Sequence, residues 1–438
     1  MTFDQLTTLL VLAVVVAALI RDRLRADVVA LAGAAFLLVT GIVRPVEVEK
    51  AFASPAIITL ASLFVIAYAM ELSGLLDAAI EKMVGLCRRI GTAGLWILVA
   101  LAGAASAFLN NTPIVVLSAP VLRDAAKSIG RSPKRYLIPL SYAAVLGGCC
   151  TLIGTSTNLL VNDMASVAGQ PRFGMFEITP VGVTVALAGG LYLFLFSGRL
   201  MRMDDEPKPS DASRGDAGFE EPGLVGGLVG SAEAFSKQVQ FQPLRAAVSL
   251  AVFVLVIALA AFNVAPISAC AFAGAVLLIL LRVITADEAY HGLRPDVLML
   301  IAGMVVLGIA LDETGLASAA TQALIGTIQS MSPVLALVIL YGVTLFATEI
   351  LSNATVAVLF TPVAVAMADA FNVSPRPFLV AVMIAASAAF ATPFGYQTNV
   401  LVYQMGRYSY GDFLKVGLPL NLITWATAVA MIQVYFPF

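Results

Sequence analysis

Two stretches decide how this chain is read: LNNTPIVVLSAPV at 109–121 and LSNATVAVLFTPV at 351–363. Each sets a knot of small polar residues inside an otherwise apolar run, and the two align at an offset of about 242 positions. Three further pairs align in the same order at an offset of about 241. ALAGAAFLLV (30–39) matches AFAGAVLLIL (271–280), and MELSGLLDAA (70–79) matches LDETGLASAA (311–320). CTLIGTSTNLLV (150–161) matches ATPFGYQTNVLV (391–402). One such match between small apolar residues is weak; four in one order indicate an internal duplication.

The setting of these stretches is lipid. Of 438 residues, 60% are hydrophobic and 12% charged, against roughly 25% charged in an average soluble domain. A mean hydropathy of +0.96 leaves too little polar surface to face water. A soluble enzyme, a nucleic-acid binder and a disordered scaffold are excluded, and a net charge of −2 gives no pull on a polyanion. Cys87, Cys149, Cys150 and Cys270 lack the spacing of a disulfide framework and read as small apolar residues in helices.

Apolar runs at 6–20, 26–43, 56–73, 136–168, 178–198, 244–262, 265–282, 295–312, 376–405 and 414–436 are candidate crossings. The runs 93–127 and 333–370 are broken near their middles and read as re-entrant hairpins. The first run has no basic region before it and is not a signal peptide. With the N-terminus outside and each hairpin returning to its own side, 21 of the Lys and Arg residues fall inside and four fall outside: Arg44, Lys50, Arg172 and Arg376. Counting either hairpin as a crossing would destroy that bias. The expected fold is an all-α integral membrane protein. Residues 1–198 form a first repeat of five crossings and one hairpin, 199–243 a polar cytoplasmic linker, and 244–438 a second repeat. Five is odd, so the second repeat enters from the opposite face, an inverted-topology repeat. The C-terminus then lies outside.

Polar breaks at Ser106 to Thr112, 154–158, Thr348 to Thr355 and 392–399 fall at matching places. Bare backbone at membrane depth is tolerated only where it is buried or lines a wet cavity. A single Ser/Thr/Asn pair can glue two helices; four duplicated breaks point to a binding site. Their oxygens suit a small hard cation such as sodium. The freed N–H groups at helix starts suit an anion. No Lys or Arg lies in the midplane segments. Glu349 is the one acid beside a break, open to proton coupling or to a helix contact; its counterpart is Phe108. Glu71, Asp312 and Glu313 read as helix-end residues, and His291, the only histidine, as an inert residue in a cytoplasmic loop. With no catalytic dyad in sight, an intramembrane enzyme is not expected.

The tips NNT and SNAT, with GTSTN and GYQTN, resemble the divalent-anion–sodium symporter family (solute carrier family 13) over essentially the whole chain. TPFGYQTNVLVY and FLNNTPIVVL are most similar to its sulfate-permease-like branch. That branch usually carries TrkA-C domains in the central loop, for which this linker is too short, and members generally begin one helix earlier. The resemblance implies an elevator-type homodimer. It implies a first sodium site from Ser106, Asn110, Asn111 and Gly154, and a second from Thr348, Ser352, Asn353 and Gly395. It implies an anion between the tips, touching Asn111, Thr112, Thr155, Asn353 and Thr355. Sodium would be co-transported, with no prosthetic group and no nucleic-acid partner. The expected function is sodium-coupled symport of a divalent anion, sulfate, in the cytoplasmic membrane. The alternatives are a dicarboxylate such as succinate or malate, a cation/proton antiporter that would depend on Glu349, or a metalloid-anion exporter.

Overall fold

The computed structural model describes residues 2–21, 24–75, 78, 90–200, 241–262, 264–316, 319, 331–393 and 395–438. Cys87 and most of the expected linker, 201–240, lie outside these residues. All regular structure among the described residues is helical. The first half holds α1 (Phe3–Arg21), α2 (Ala26–Val39), α3 (Pro45–Phe52), α4 (Pro55–Leu72), α5 (Thr92–Ser106), α6 (Asn111–Ser128), α7 (Lys134–Gly148), α8 (Ser156–Val167) and α9 (Thr179–Leu200). The second holds α10 (Pro243–Ala261), α11 (Ile267–Leu280), α12 (Ala286–Gly292), α13 (Pro295–Glu313), α14 (Pro333–Ala347), α15 (Asn353–Phe371), α16 (Arg376–Ser387), α17 (Gln397–Gly406) and α18 (Tyr410–Tyr435). The two halves carry the same succession of helices, so the duplication seen in sequence is also one of secondary structure.

Six helical stretches, 45–72, 179–200, 243–261, 295–313, 353–371 and 410–435, are long and apolar enough to cross a bilayer. Large apolar side chains such as Leu187, Leu191, Phe194, Leu244, Val254 and Leu255 are exposed along them. In water such surface would be unfavourable; in hydrocarbon it is not. The chain is a multi-pass membrane protein.

Packing is exchanged between the halves. α2 packs on α13 and α11 on α4; α3 packs on α13 and α12 on α4. The same exchange joins α6 to α17 and α15 to α8, then α7 to α17 and α16 to α8. The long final helices α9 and α18 pack on each other. Helices α1–α4 with α10–α13 thus form one body and α5–α9 with α14–α18 a second, touching where α8 meets α4 and α13.

Positive-φ turns repeat too. Gly41 pairs with Arg282, Gly74 with Gly315 and Gly130 with Asn372, each partner one repeat apart and each just past a helix end. A Cβ in this region costs about 1–2 kcal/mol, and a methyl on Gly130 would touch nothing within 4 Å. Gly130→Ala is therefore expected to destabilise by about 1 kcal/mol through backbone strain alone, read as a lower melting temperature of the purified protein. A gain in stability would contradict the turn.

Three sequence expectations are revised. The runs 136–168 and 376–405 are each two helices separated by irregular segments, 149–155 and 388–396. The outside segment with Arg44 and Lys50, between the candidate crossings 26–43 and 56–73, contains a helix of its own, α3, started by Pro45. His291 stands in the last turn of the short helix α12, whose capping box is Thr285 with Glu288.

Candidate functional site at the paired tips

Helices α5 and α6 meet at a first tip, α14 and α15 at a second. Each returning helix starts on its own cap. Asn110 accepts from the Thr112 N–H at 3.3 Å, and Ser352 from the Thr355 N–H at 3.2 Å. Such caps satisfy N–H groups that a helix start leaves open.

Around each tip the same bonds recur one repeat apart. Ser106 donates to Asn111 Oδ1, and Thr348 and Asn353 form the matching hydroxyl–amide pair at 2.9 Å. The Thr348 hydroxyl has one proton and gives it to the Ala386 carbonyl at 2.7 Å. The Asn353 amide nitrogen therefore faces Thr348 and the Gly395 carbonyl at 3.2 Å, which turns its oxygen away from them. Behind each tip a threonine hydroxyl reaches across: Thr151 to the Ala107 carbonyl, Thr392 to the Glu349 carbonyl at 3.0 Å. Each also accepts from the loop glycine, Gly154 N at 3.2 Å and Gly395 N at 3.1 Å. An asparagine then closes each loop, Asn158 onto the Thr151 carbonyl at 3.0 Å and Asn399 onto the Thr392 carbonyl at 3.3 Å.

Glycine permits this convergence. A methyl on Gly154 would stand 2.5 Å from the Gly148 carbonyl oxygen and 2.9 Å from that of Ala107; one on Gly148 would stand 2.7 Å from Asn111 Oδ1. The oxygens of Ser106, Ala107, Asn111, Gly148 and Thr151 are drawn into one small region, a donor set suited to a hard monovalent cation. Ser106, Asn111, Thr348 and Thr355 are buried.

The tips are completed by the opposite half. Asn111 Nδ2 donates to the Tyr396 hydroxyl at 2.8 Å, and Thr112 Oγ1 donates to Gln397 Oε1 at 3.3 Å. The start of α6 therefore faces the start of α17. Thr155 caps α8 through the Thr157 N–H at 3.4 Å, and Thr355 Oγ1 lies 2.7 Å from Ser352 Oγ. Among the described residues the link between the tips runs through the loop before α17, which reaches tip one at Tyr396 and tip two at Thr392. Asn158, Thr392 and Asn399 lie inside the breaks read from sequence, without the bracing role, and Thr151 lies outside them, though all four stand aligned in the pair 150–161 with 391–402. Tyr396 and Gln397 carried no such signal, because their counterparts are Thr155 and Ser156.

Glu349 is engaged as a helix contact. Its carboxylate accepts from Phe390 N at 2.8 Å, Ala391 N at 2.7 Å, Thr392 N at 2.8 Å and Asn421 Nδ2 at 2.7 Å. The three main-chain donors belong to the irregular segment that follows α16, where no helix gives their N–H groups a partner and the carboxylate does so instead.

A sequence model described as citrate transporter matches residues 15–375 and 351–438. The chain belongs to the citrate transporter family. Among its relatives is a protein named probable sodium/sulfate cotransporter 3 of Chlamydomonas reinhardtii, 50% identical over 97 residues, 20% of this chain and 11% of that one. The sodium-dependent dicarboxylate transporter SdcS of Staphylococcus saprophyticus is 24% identical over 90% of this chain and 79% of its own. The crystal structure of the YdaH transporter of Alcanivorax borkumensis superposes with a TM-score of 0.57 at 16% identity, covering 89% of this chain and 87% of that one. That likeness is one of fold. The resemblance to divalent-anion–sodium symporters read from the tips agrees with these comparisons, in which relatives are named as sodium-coupled transporters of sulfate and of dicarboxylates.

Proposed function

We propose that the chain is a secondary active transporter that carries sulfate with sodium across the cell membrane. The observation that supports this best is the duplicated frame of hydroxyl, amide and loop glycine at the two tips. It gathers oxygens for a cation behind the first tip, sets the Thr348 hydroxyl and Gly395 carbonyl at the second, where turning the Asn353 amide over brings its oxygen to a cation, and offers helix-start N–H groups to an anion in front. Sodium draws each tip asparagine and loop together, and the anion binds to the ordered surface, so the two ligands favour each other. In this reading Asn111, Thr112, Thr155, Asn353 and Thr355 face the anion. Ser106, Asn110, Asn111 and Gly154 hold one sodium, and Thr348, Ser352, Asn353 and Gly395 another. The positive-charge bias supports an outside N-terminus, a cytoplasmic 199–243 segment and hairpins entering from opposite faces. The body of α5–α9 and α14–α18 would move against the rest as an elevator within a homodimer.

A dicarboxylate cargo is the second reading, favoured by the family's description and by the extensive match to a dicarboxylate transporter. Uptake of labelled sulfate into proteoliposomes, with and without an inward sodium gradient and with succinate or citrate as competitor, separates the two. Sodium-driven sulfate uptake that succinate leaves unchanged is the expected result. Labelled succinate uptake with no sulfate uptake would replace it by the second reading.

Ser106→Ala and Thr348→Ala each remove one cation-facing hydroxyl. Each is expected to raise the sodium concentration for half-maximal uptake by about three- to tenfold, the size of one lost hydrogen-bonding oxygen. An unchanged sodium dependence in both would take them out of the cation sites.

A further inference from the structure

The two tips differ in charge. The matched bonds Thr151 to the Ala107 carbonyl and Thr392 to the Glu349 carbonyl put Ala107, not Phe108, opposite Glu349: the second tip carries an acid where the first has a methyl group. Its two carboxylate oxygens are used unequally. Oε1 accepts three N–H groups, from Phe390, Ala391 and Asn421, and is saturated. Oε2 accepts only from Thr392, which leaves acceptor capacity on the side that faces Gly395; a methyl there would lie 3.3 Å from it. Four N–H donors converge on the two oxygens, a setting that suits an anionic acceptor. Glu349 is nine-tenths buried. Among the described residues no Lys, Arg or His forms an ion pair with it. Amide dipoles orient such a charge without neutralising it. An acid at membrane depth with no countercharge is expensive, and intramembrane acids characteristically face a partner or an ion path.

We infer that Glu349 is the fixed countercharge for a co-transported cation at the second tip, so that the two cation sites differ in kind. The second is anionic and holds its cation before any anion arrives. The first is built of neutral oxygens, and its cation is retained once a divalent anion supplies the missing negative charge. This rests on the sodium-coupled reading of the tips and gives it an order of binding.

The test is thermal unfolding of the purified full-length protein against sodium chloride, with choline chloride holding ionic strength constant and no sulfate or carboxylate present. Wild type is expected to be stabilised by sodium with a measurable midpoint. Glu349→Gln is expected to raise that midpoint at least about tenfold, while Ser106→Ala moves it less than about threefold because the first site is not yet engaged. The pair change Glu349→Gln with Asn421→Asp, which passes the charge to the hydrogen-bonded neighbour, is expected to bring the midpoint back to within about threefold of wild type. If the single variant cannot be purified, this pair decides: a sodium response supports the inference, and a folded protein without one overturns it. A Glu349→Gln protein that melts lower but keeps the wild-type midpoint reduces Glu349 to a brace and overturns the inference alone. Loss of the response in Glu349→Gln that the pair fails to restore overturns it too. Wild type that ignores sodium at every concentration overturns the sodium-coupled reading itself.

Discussion

Asn111→Ala is expected to abolish sodium-dependent anion uptake while the protein still inserts and purifies as a monodisperse species. The amide serves three groups at once: it accepts from Ser106, donates to the Tyr396 hydroxyl at 2.8 Å, and lies against Gly148 so closely that a methyl there would reach it. Removing it strands the buried Ser106 hydroxyl and unties tip one from the loop before α17. At about 1–3 kcal/mol for each buried partner left unsatisfied, uptake at sub-saturating sodium should fall by roughly a hundredfold or more. Most of the fold does not depend on this residue, because α5 and α7 stay locked at Gly103 and Gly147, where a methyl on Gly147 would overlap the Gly103 carbonyl. Asn353→Ala should do the same at tip two, where the amide links Thr348, Ala386 and Gly395. Initial rates in proteoliposomes decide it; wild-type uptake by both variants would remove the tips from the site.

Gly417→Ala is the second large effect, and it acts from outside the tips. Gly417 on α18 lies flat against the irregular segment after α16: an added methyl would overlap the Phe390 carbonyl and stand 2.7 Å from Ala391 N. All of these atoms are backbone and none can rotate away. They are also committed elsewhere, since the Phe390 carbonyl accepts from Tyr142 and the Phe390 and Ala391 N–H groups bind Glu349. Either α18 retreats or the loop lets go of Glu349. A cost of roughly 3 kcal/mol or more is expected, visible as a sharp fall in melting temperature and loss of uptake. Gly190→Ala is the control: it sits in α9 with nothing within 4 Å of the added methyl, and should be neutral or slightly stabilising. Equal damage from both would mean that helix flexibility, not contact with the segment after α16, is what Gly417 provides.

The broken helix pairs, the polar breaks and the duplication were legible in sequence because each rests on local chemistry. A capping Asn or Ser before a returning helix, and Gly-Thr or Gly-Tyr before a restarting one, cannot sit in lipid without a reason. The helix pairs 92–106 with 111–128 and 333–347 with 353–371 break where the runs 93–127 and 333–370 were read as broken. Legibility failed where meaning depends on what the other half brings. Tyr396 and Gln397 belong to tip one, yet they lie 285 residues from Asn111 and Thr112. Asn421 looks like an ordinary polar residue in a crossing until Glu349 stands 2.7 Å away. The brace Thr151 was readable and overlooked: it sits inside the aligned pair but outside the GTSTN core, whereas its partner Thr392 opens the break at 392–399. The short helices α3 and α12 hide because a helix of seven or eight residues leaves little periodicity to detect.

The exchange of partners between the halves has a consequence for synthesis. When the ribosome has finished α9, α6 has no α17, α8 has no α15 and α4 has no α11 to lie against, since all of these arrive in the second half. The first half must wait in the membrane with its polar tip uncompleted, exposed to whatever quality control patrols there. Two polypeptides, 1–220 and 221–438, made together should therefore find each other and carry anion, while either made alone should be degraded.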